Sequence, residues 1–251
     1  MDHFVLSELI FDRAYRIGDN HTKVKIIQEW LCLHGFIVSI DGKFGPQTQA
    51  AVKHFQAEKT IPLTGAVDRQ TFLLLTRPMR NALNSNSNKS FTYSQLIAAF
   101  ANQHLRQHPH EAGGANCGPW VRLYMKGCEG QQYSWCAGFV SFIISQAASS
   151  ANRELPIEFS FSCDDLAINA ERNCLLYSGR QLADKSKIPA GSVFLIRKAP
   201  TDWIHTGIVI KIQEHSFVTI EGNTNKKGHV EGTAVLKRDR SYDKCDFIIW
   251  P

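Results

Sequence analysis

The sequence predicts an α+β protein in which a small three-helix unit precedes a larger domain of helices followed by antiparallel strands. Apolar residues recur at helical spacing in the first third of the chain. From Gly191 onward they cluster instead in the strand-like segments GSVFLIR, HTGIVIKI, SFVTIEG, TAVLKR and CDFIIW. Between these regions the Asn- and Ser-rich stretch RPMRNALNSNSNKSFT has no periodicity. We therefore predict domains at 1–78 and 93–251, joined by a linker at 79–92.

The bulk composition is that of an ordinary folded protein. Of the 251 residues, 43% are hydrophobic and 20% are charged, and the net charge of +5 is spread without a dense basic run. The sequence has no zinc-finger spacing, arginine-rich arm or aromatic nucleic-acid signature, which argues against nucleic acid as a partner. No apolar run approaches the roughly 20 residues that span a bilayer, so we expect no membrane insertion.

Turn and capping residues place three helices in the N-terminal unit. The first helix follows N-cap candidates at 19–22, the second begins near Pro46, and the third follows Asp68 as its N-cap. The residues expected to face inward are Val24, Ile27, Leu31, Phe36, Ala50, Val52, Phe55, Phe72 and Leu75. The run DGKFGPQTQAAVKHFQ, with the later LTGAVDRQTFLLL, resembles the type 1 peptidoglycan-binding domain over about Arg13 to Pro78. This resemblance implies bacterial peptidoglycan as a partner.

Three polar residues at the ends of predicted elements suggest thiol chemistry in the C-terminal domain. Cys136 opens the apolar helix CAGFVSFIISQA, with Ser134 nearby as a cap, and a helix N-terminus favours a thiolate. His205 begins one predicted strand and Glu221 ends the next, and a turn at 213–215 would bring both to the same end of a sheet. A thiol, an imidazole and an orienting carboxylate form a nucleophilic triad. Taken singly, each residue could also be an ordinary core, surface or turn residue.

The segments NCGPWVRLYM, WCAGFV, GSVFLI, HTGIV and TIEGN together resemble the CHAP family of cysteine amidases and endopeptidases, over about Asn116 to Pro251. The resemblance implies a papain-like domain with Cys136 as nucleophile, His205 as general base and Glu221 as its orienting partner. It also implies that Asn223 supports the same imidazole. Because the Asp-rich calcium loop of some relatives is missing, we expect no metal and no other cofactor.

Several residues around the predicted triad have open roles. The backbone N–H of Cys136 is the expected first oxyanion donor, and Tyr133 or Gln132 is a candidate for the second. Trp203 either lines the cleft beside His205 or packs in the core.

Two further groups of residues, one of histidines and one of cysteines, could support other chemistry. The run QHLRQHPH places His104 and His108 at zinc-like spacing, but we favour an exposed His-rich helix end because no acidic partner lies within it. The seven cysteines form no CxxC and are odd in number, so one thiol at least is unpaired within the chain. The sequence does not determine whether Cys163 pairs with Cys174.

The resulting expectation is a peptidoglycan hydrolase that cleaves an amide bond, either muramoyl-L-alanine or one in the peptide stem or cross-bridge. The alternatives are an acyltransferase or deamidase toxin with the same triad, and an inert wall-binding protein. The stretch MDHFVLSELIFDRAYRIGDN lacks the features of a Sec signal peptide, so we expect synthesis in the cytoplasm and action in the periplasm or wall. A phage lysis enzyme released through a pore and a contact-delivered antibacterial effector both fit, and an effector would require an immunity protein as partner.

Overall fold

The chain forms two compact units in the computed structural model, which describes residues 3–85, 90–179, 182, 184–225 and 232–251. Unit 1 comprises Met1–Asn81 and His110–Gln132, and unit 2 comprises Ala82–Pro109 and Tyr133–Pro251. The helices are α1 His3–Leu9, α2 Thr22–Leu33, α3 Pro46–Glu58, α4 Arg69–Leu75, α5 Arg77–Leu83, α6 Tyr93–Leu105, α7 Pro119–Tyr124, α8 Cys136–Ser150 and α9 Cys163–Arg172. The strands are β1 Leu176–Ser178, β2 Val193–Ala199, β3 Asp202–Ile212, β4 Ser216–Thr224, β5 Ala234–Ser241 and β6 Cys245–Ile248. Among the described residues, no helix has the length and apolar character needed to span a membrane.

The three predicted helices of unit 1 are α2, α3 and α4, and two buried glutamines hold the turns between them. The Gln28 side-chain oxygen accepts a hydrogen bond from the Gly42 N–H at 2.8 Å, and Gln56 accepts one from the Gly65 N–H at 2.9 Å. Both glycines have positive φ, of 75° and 69°, which a residue with a Cβ adopts at a cost. The same device therefore fixes each helix-to-helix turn.

Most of the predicted core of unit 1 is confirmed. The side chain of Asp68 caps α4 by accepting from the Thr71 N–H, and α3 begins at Pro46. The predicted inward residues that are buried are Val24, Ile27, Leu31, Val52, Phe55, Phe72 and Leu75. Ala50 is exposed and Phe36 is half-buried, so the inward face of α3 is set by Ala51 instead.

The division of the chain differs from the predicted one at two places. The first part of the predicted linker is helical, because α5 extends to Leu83. Residues 110–132 belong to unit 1 although they were assigned to the C-terminal domain. A buried ion-pair cluster ties this segment to unit 1.

The cluster centres on Arg122 of α7. Its guanidinium contacts Glu8 of α1 at 2.5 Å, Glu29 of α2 at 2.6 Å and Glu129 at 2.5 Å. Glu8 and Glu29 are almost completely buried, with side-chain exposures of 1% and 0%. Buried carboxylates need a cation and hydrogen bonds to offset the loss of hydration. The ion pairs of Arg122 with Glu8 and Glu29 therefore hold α7 in unit 1. No local sequence pattern indicates these contacts.

Unit 2 is built on a six-stranded antiparallel sheet with strand order β1-β6-β2-β3-β4-β5. The predicted hairpin turn is confirmed, since β3 ends at Ile212 and β4 begins at Ser216. Helix α8 packs against β3 and β4, and α6 and α9 pack beside it. One cluster of buried side chains in this unit consists of Ile188, Phe194, Val209, Phe217, Cys245 and Phe247.

A glycine in β4 allows the first turn of α8 to approach the sheet closely. A Cβ placed on Gly222 would lie 2.6 Å from the Cβ of Phe139 and 2.9 Å from the ring of Trp135. Any side chain at this position would therefore push α8 away from β4. The glycine of the EGN segment thus positions the helix that begins at Cys136.

Replacing Arg122 by Met should strongly destabilise unit 1, because three carboxylates lose their shared cation. We expect the free energy of unfolding to fall by about 3–5 kcal/mol, as for other broken buried pairs. Urea denaturation followed by tryptophan fluorescence measures this. In the matched control, Glu58→Gln removes the more exposed pair with Lys59 and should cost less than about 1 kcal/mol. Equal effects of the two substitutions would contradict the buried-cluster account.

Candidate active site

Cys136 is the first residue of α8 and is buried, with 5% of its surface exposed. The predicted cap at Ser134 is wrong, because the N-cap position is held by Trp135, which makes no side-chain capping bond. No side chain therefore caps the first turn of α8, and the backbone N–H of Ala137 contributes to the lowered pKa of the Cys136 thiol. The start of α8 thus provides the favourable electrostatic environment that the sequence suggested.

His205 and Glu221 meet in the interior of unit 2. The Nε2 atom of His205 lies 2.9 Å from Oε2 of Glu221, and both side chains are completely buried. Neither residue stands at a strand end, because β3 begins at Asp202 and β4 continues to Thr224. The antiparallel pairing of these strands still brings the two side chains together.

The other imidazole nitrogen is available to the thiol. Nδ1 of His205 has no hydrogen-bond partner in the part of the chain that the structure describes. The Cys136 thiolate and this imidazole stabilise each other's charged forms, which lowers the pKa of Cys136 and raises the pKa of His205. Glu221 on Nε2 therefore orients a ring whose Nδ1 can exchange a proton with sulfur.

Glu221 is held by two more groups that the sequence did not indicate. Arg240 of β5 forms a two-pronged contact, with Nε 2.8 Å from Oε1 and Nη2 2.5 Å from Oε2. The Thr219 hydroxyl donates to Oε1 at 2.6 Å. Gly207 supplies the space, since a Cβ there would lie 2.7 Å from Cγ of Glu221. These contacts thus hold the Glu221 carboxylate in position and keep it ionised.

These contacts shift the pKa values of Glu221, His205 and Cys136. Burial opposes ionisation of Glu221, but Arg240 and then His205 outweigh it and lower the pKa of Glu221 to about 2. Burial likewise disfavours the imidazolium, yet the contacts with Cys136 and Glu221 raise the pKa of His205 to about 9. The pKa of Cys136 is well below that of an ordinary thiol. A thiolate–imidazolium pair is therefore the state expected near neutral pH.

The largest contribution to the lowered pKa of Cys136 comes from a second cysteine. The sulfur atoms of Cys136 and Cys163 are 3.8 Å apart, and Cys163 is the first residue of α9. The contact with Cys136, together with burial, raises the pKa of Cys163, so its thiol keeps its proton and donates it toward the Cys136 thiolate. Two helices thus begin at adjacent sulfur atoms.

Asn223 does not contact the imidazole in the described hydrogen-bond network. Its Oδ1 accepts a hydrogen bond from the Gly232 N–H at 3.5 Å, and its buried Nδ2 has no hydrogen-bond partner among the described residues. Asn223 has a left-handed φ of 54° and lies where the β4–β5 register shifts. The structure therefore gives Asn223 a place in a β-bulge, and the predicted support of His205 falls to Glu221.

The two candidates for a second oxyanion donor occupy different environments. Tyr133 is half-buried and begins unit 2, whereas Gln132 is an exposed residue at the end of a segment of unit 1. The oxyanion role stays a prediction for both residues.

Trp203 is anchored in the sheet and half-buried. Its indole N–H donates to Oδ2 of Asp246 at 2.9 Å, and its backbone N–H donates to Oδ1 of Asp164 at 2.7 Å. Because Trp203 lies two residues before His205 in β3, these bonds fix the backbone that leads into the imidazole. Its predicted place in a substrate cleft stays a prediction.

The His-rich run does not form the exposed helix end that we favoured. Helix α6 ends at Leu105, and His104 is completely buried with Nε2 3.0 Å from Oε1 of Gln146. Burial lowers the pKa of His104 to about 4. Within the described ranges, no three His, Cys, Asp or Glu residues are grouped as metal ligands would be.

Sequence reasoning missed two residues that contact members of the triad: Arg240, which binds Glu221, and Cys163, which contacts Cys136. Arg240 lies in LKRDRS, where nothing distinguishes it from the neighbouring arginine, and Cys163 was noted only as a candidate for a disulfide with Cys174. In the structure all seven cysteines are free, and Cys174 is exposed. The contacts of Arg240 and Cys163 depend on strand and helix placement and leave no spacing pattern in the chain.

Comparison with known proteins supports the interpretation of the N-terminal helices. Residues 20–75 match the family described as "Putative peptidoglycan binding domain". A curated relative from Staphylococcus haemolyticus (strain JCSC1435), named "Probable CtpA-like serine protease", is 36% identical over 67 residues, which are 26% of this chain. This chain spans 14% of the length of that relative.

A solved structure from Clostridium acetobutylicum ATCC 824 shows a similar local match. It is described as a "Fused Zn-dependent amidase/peptidase/peptodoglycan-binding domain-containing protein" and is 38% identical to this chain. The match covers 26% of this chain and 29% of that one, with a TM-score of 0.25.

Alkylation of Cys136 should persist at a pH where an ordinary thiol is protonated, since its pKa lies below the ordinary value of about 8.5. A lowered pKa keeps the thiolate as the pH falls, and the imidazolium partner is lost only as the pH rises through about 9. His205→Ala should therefore move the midpoint of the alkylation profile upward. Iodoacetamide rates read by peptide mass mapping test this, with the exposed Cys174 as an internal reference. An unchanged midpoint in His205→Ala would exclude the ion pair.

Proposed function

We propose that this protein is a peptidoglycan hydrolase that cleaves an amide bond of the wall peptide by cysteine chemistry. The observation on which the proposal depends is the juxtaposition of Cys136 at the start of α8 with His205, whose Nε2 is held by Glu221. This is the order of groups that a thiol nucleophile, its acid–base partner and an orienting carboxylate require.

The proposed reaction uses both ionised groups directly. The Cys136 thiolate attacks the carbonyl carbon, and we assign stabilisation of the oxyanion to backbone N–H groups at the start of α8. The His205 imidazolium gives its proton to the leaving amine, which leaves a thioester on Cys136 and a neutral imidazole. Water then attacks the thioester while His205 takes up a proton, and the carboxylic acid product and the thiolate are released.

Unit 1 supplies the reason to place this chemistry on the cell wall. Residues 20–75 of this unit match the family described as "Putative peptidoglycan binding domain". We therefore assign peptidoglycan binding to unit 1 and amide cleavage to unit 2. Tethering a hydrolase to its polymeric substrate raises the local concentration of scissile bonds.

Cys136→Ala should abolish release of soluble fragments from purified sacculi while leaving sacculus binding intact. The substitution removes the nucleophile in unit 2 and leaves unit 1 unchanged. Turbidity loss and pelleting of the protein with sacculi measure the two properties separately. As a matched control, Cys174→Ala removes an exposed thiol and should retain full release. Fragment release by Cys136→Ala would refute the proposal.

Mass spectrometry of the released muropeptides identifies the bond. Free stem peptides with intact glycan indicate muramoyl-L-alanine cleavage, and shortened stems or opened cross-bridges indicate an endopeptidase. No change in sacculi together with mass shifts in added proteins would favour an acyltransferase or deamidase. Binding without any change in either substrate would favour an inert wall-binding protein.

Arg240→Met should lower turnover without abolishing sacculus binding, because Glu221 loses the cation that keeps it ionised and oriented. A charge-assisted contact worth about 1.5–3 kcal/mol corresponds to a roughly tenfold to hundredfold loss. The pKa of Glu221 should rise in this variant, so the acid limb of the rate profile should move to higher pH. The exposed Lys237 of the same strand gives the control Lys237→Met, which should retain the wild-type profile. An unchanged profile in Arg240→Met would contradict the assigned role.

A further inference from the structure

The pair of cysteines at the helix starts has chemistry beyond the triad. The sulfur atoms of Cys136 and Cys163 are in contact at 3.8 Å, and a disulfide bond has a length of about 2.05 Å. Closing that gap requires the two sulfurs to approach by somewhat less than about 2 Å. Both side chains project from first-turn positions, of α8 and α9 respectively.

From this sulfur contact we infer that Cys136 and Cys163 form a reversible intramolecular disulfide when the protein meets hydrogen peroxide. The disulfide would occupy the proposed nucleophile and so switch the site off. The inference requires only that Cys136 is a reactive thiolate next to a second thiol. It therefore holds or fails independently of the proposed hydrolysis of peptidoglycan.

The two cysteines have complementary properties for this reaction. Cys136 has the lowered pKa of an attacking thiolate, whereas Cys163 retains its proton and has the role of resolving thiol. Only 5% of Cys136 and 8% of Cys163 are exposed. A small oxidant such as hydrogen peroxide therefore reaches these sulfurs more readily than a disulfide of another protein does. Cys174 differs from both, because its side chain is exposed to solvent and not buried.

The reaction proceeds in two balanced steps. The Cys136 thiolate attacks one peroxide oxygen and the O–O bond breaks, which gives a sulfenic acid. The departing hydroxide takes a proton from the His205 imidazolium and becomes water. The Cys163 sulfur then attacks the Cys136 sulfur as its thiol loses a proton. The S–O bond breaks, and the second hydroxide combines with that proton. Two thiols are oxidised by two electrons, and one peroxide is reduced to two waters.

This arrangement also protects Cys136 from damage. A sulfenic acid without a neighbouring thiol is oxidised further to the irreversible sulfinic and sulfonic acids. Capture by Cys163 stops the oxidation at a disulfide, which small thiols reduce again. The resolving cysteine thus allows the site to recover after oxidative stress.

The test is a disulfide map of the full chain after brief exposure to hydrogen peroxide. Free thiols are blocked with N-ethylmaleimide, the protein is digested without reduction, and linked peptides are identified by mass spectrometry. We expect a peptide pair joining Cys136 and Cys163 with the loss of two hydrogens, and dithiothreitol should restore iodoacetamide labelling of Cys136. Blocked, unlinked thiols at both positions, or a Cys136 disulfide to another cysteine, would overturn the inference.

Two variants sharpen the result. Cys163→Ser should lose the linked pair and should accumulate Cys136 sulfinic acid that dithiothreitol does not reverse. Cys174→Ser should form the same Cys136–Cys163 link as the wild type. Because the map of the wild-type protein is decisive by itself, the inference stays testable even if Cys163→Ser folds poorly. Full recovery of Cys136 labelling in oxidised Cys163→Ser would contradict the role of Cys163 as resolving thiol.

Discussion

The buried contact between Arg240 and Glu221 is the interaction on which the geometry of the site depends. A carboxylate completely removed from water would take up a proton unless a cation compensated it. Arg240 supplies two hydrogen bonds and a positive charge, so Glu221 remains an acceptor for Nε2 of His205. The imidazole is thereby fixed and stabilised as a cation, and the cation stabilises the Cys136 thiolate. Charge alternates along this chain of four groups, from arginine to sulfur.

Close backbone packing makes this chain of charges possible. Gly207 leaves room for the Glu221 side chain, and Gly222 leaves room for Phe139 and Trp135 at the start of α8. With a side chain at either position, the carboxylate or the helix would have to move. Gly207 and Gly222 therefore contribute to the site because they have no side chain and let neighbouring groups approach closely.

Local patterns predicted the parts of the fold that local physics determines. Capping, turn chemistry and periodicity predict the start of α3 at Pro46, the N-cap of α4 at Asp68 and the turn between β3 and β4. They also predict the order of helices followed by late strands. Residues 110–132 were assigned to the wrong unit because the contacts of Arg122 span about a hundred residues of sequence. Arg240 and Cys163 were missed for the same reason: their partners are neighbours only after the chain has folded. Asn223 shows the converse, since a motif position suggested a role that the hydrogen bonds give to Glu221.

The most direct test of the interaction between these four charged groups is the pKa of His205. Nitrogen-15 NMR of its imidazole measures this pKa. In the wild-type protein the ring should remain an imidazolium through neutral pH and should have a pKa of about 9. In Cys136→Ala, where the thiolate is absent, the midpoint should fall, while an Ala substitution of the exposed Cys174 should leave it unchanged. A wild-type midpoint at or below the ordinary histidine value of about 6.5 would contradict the account.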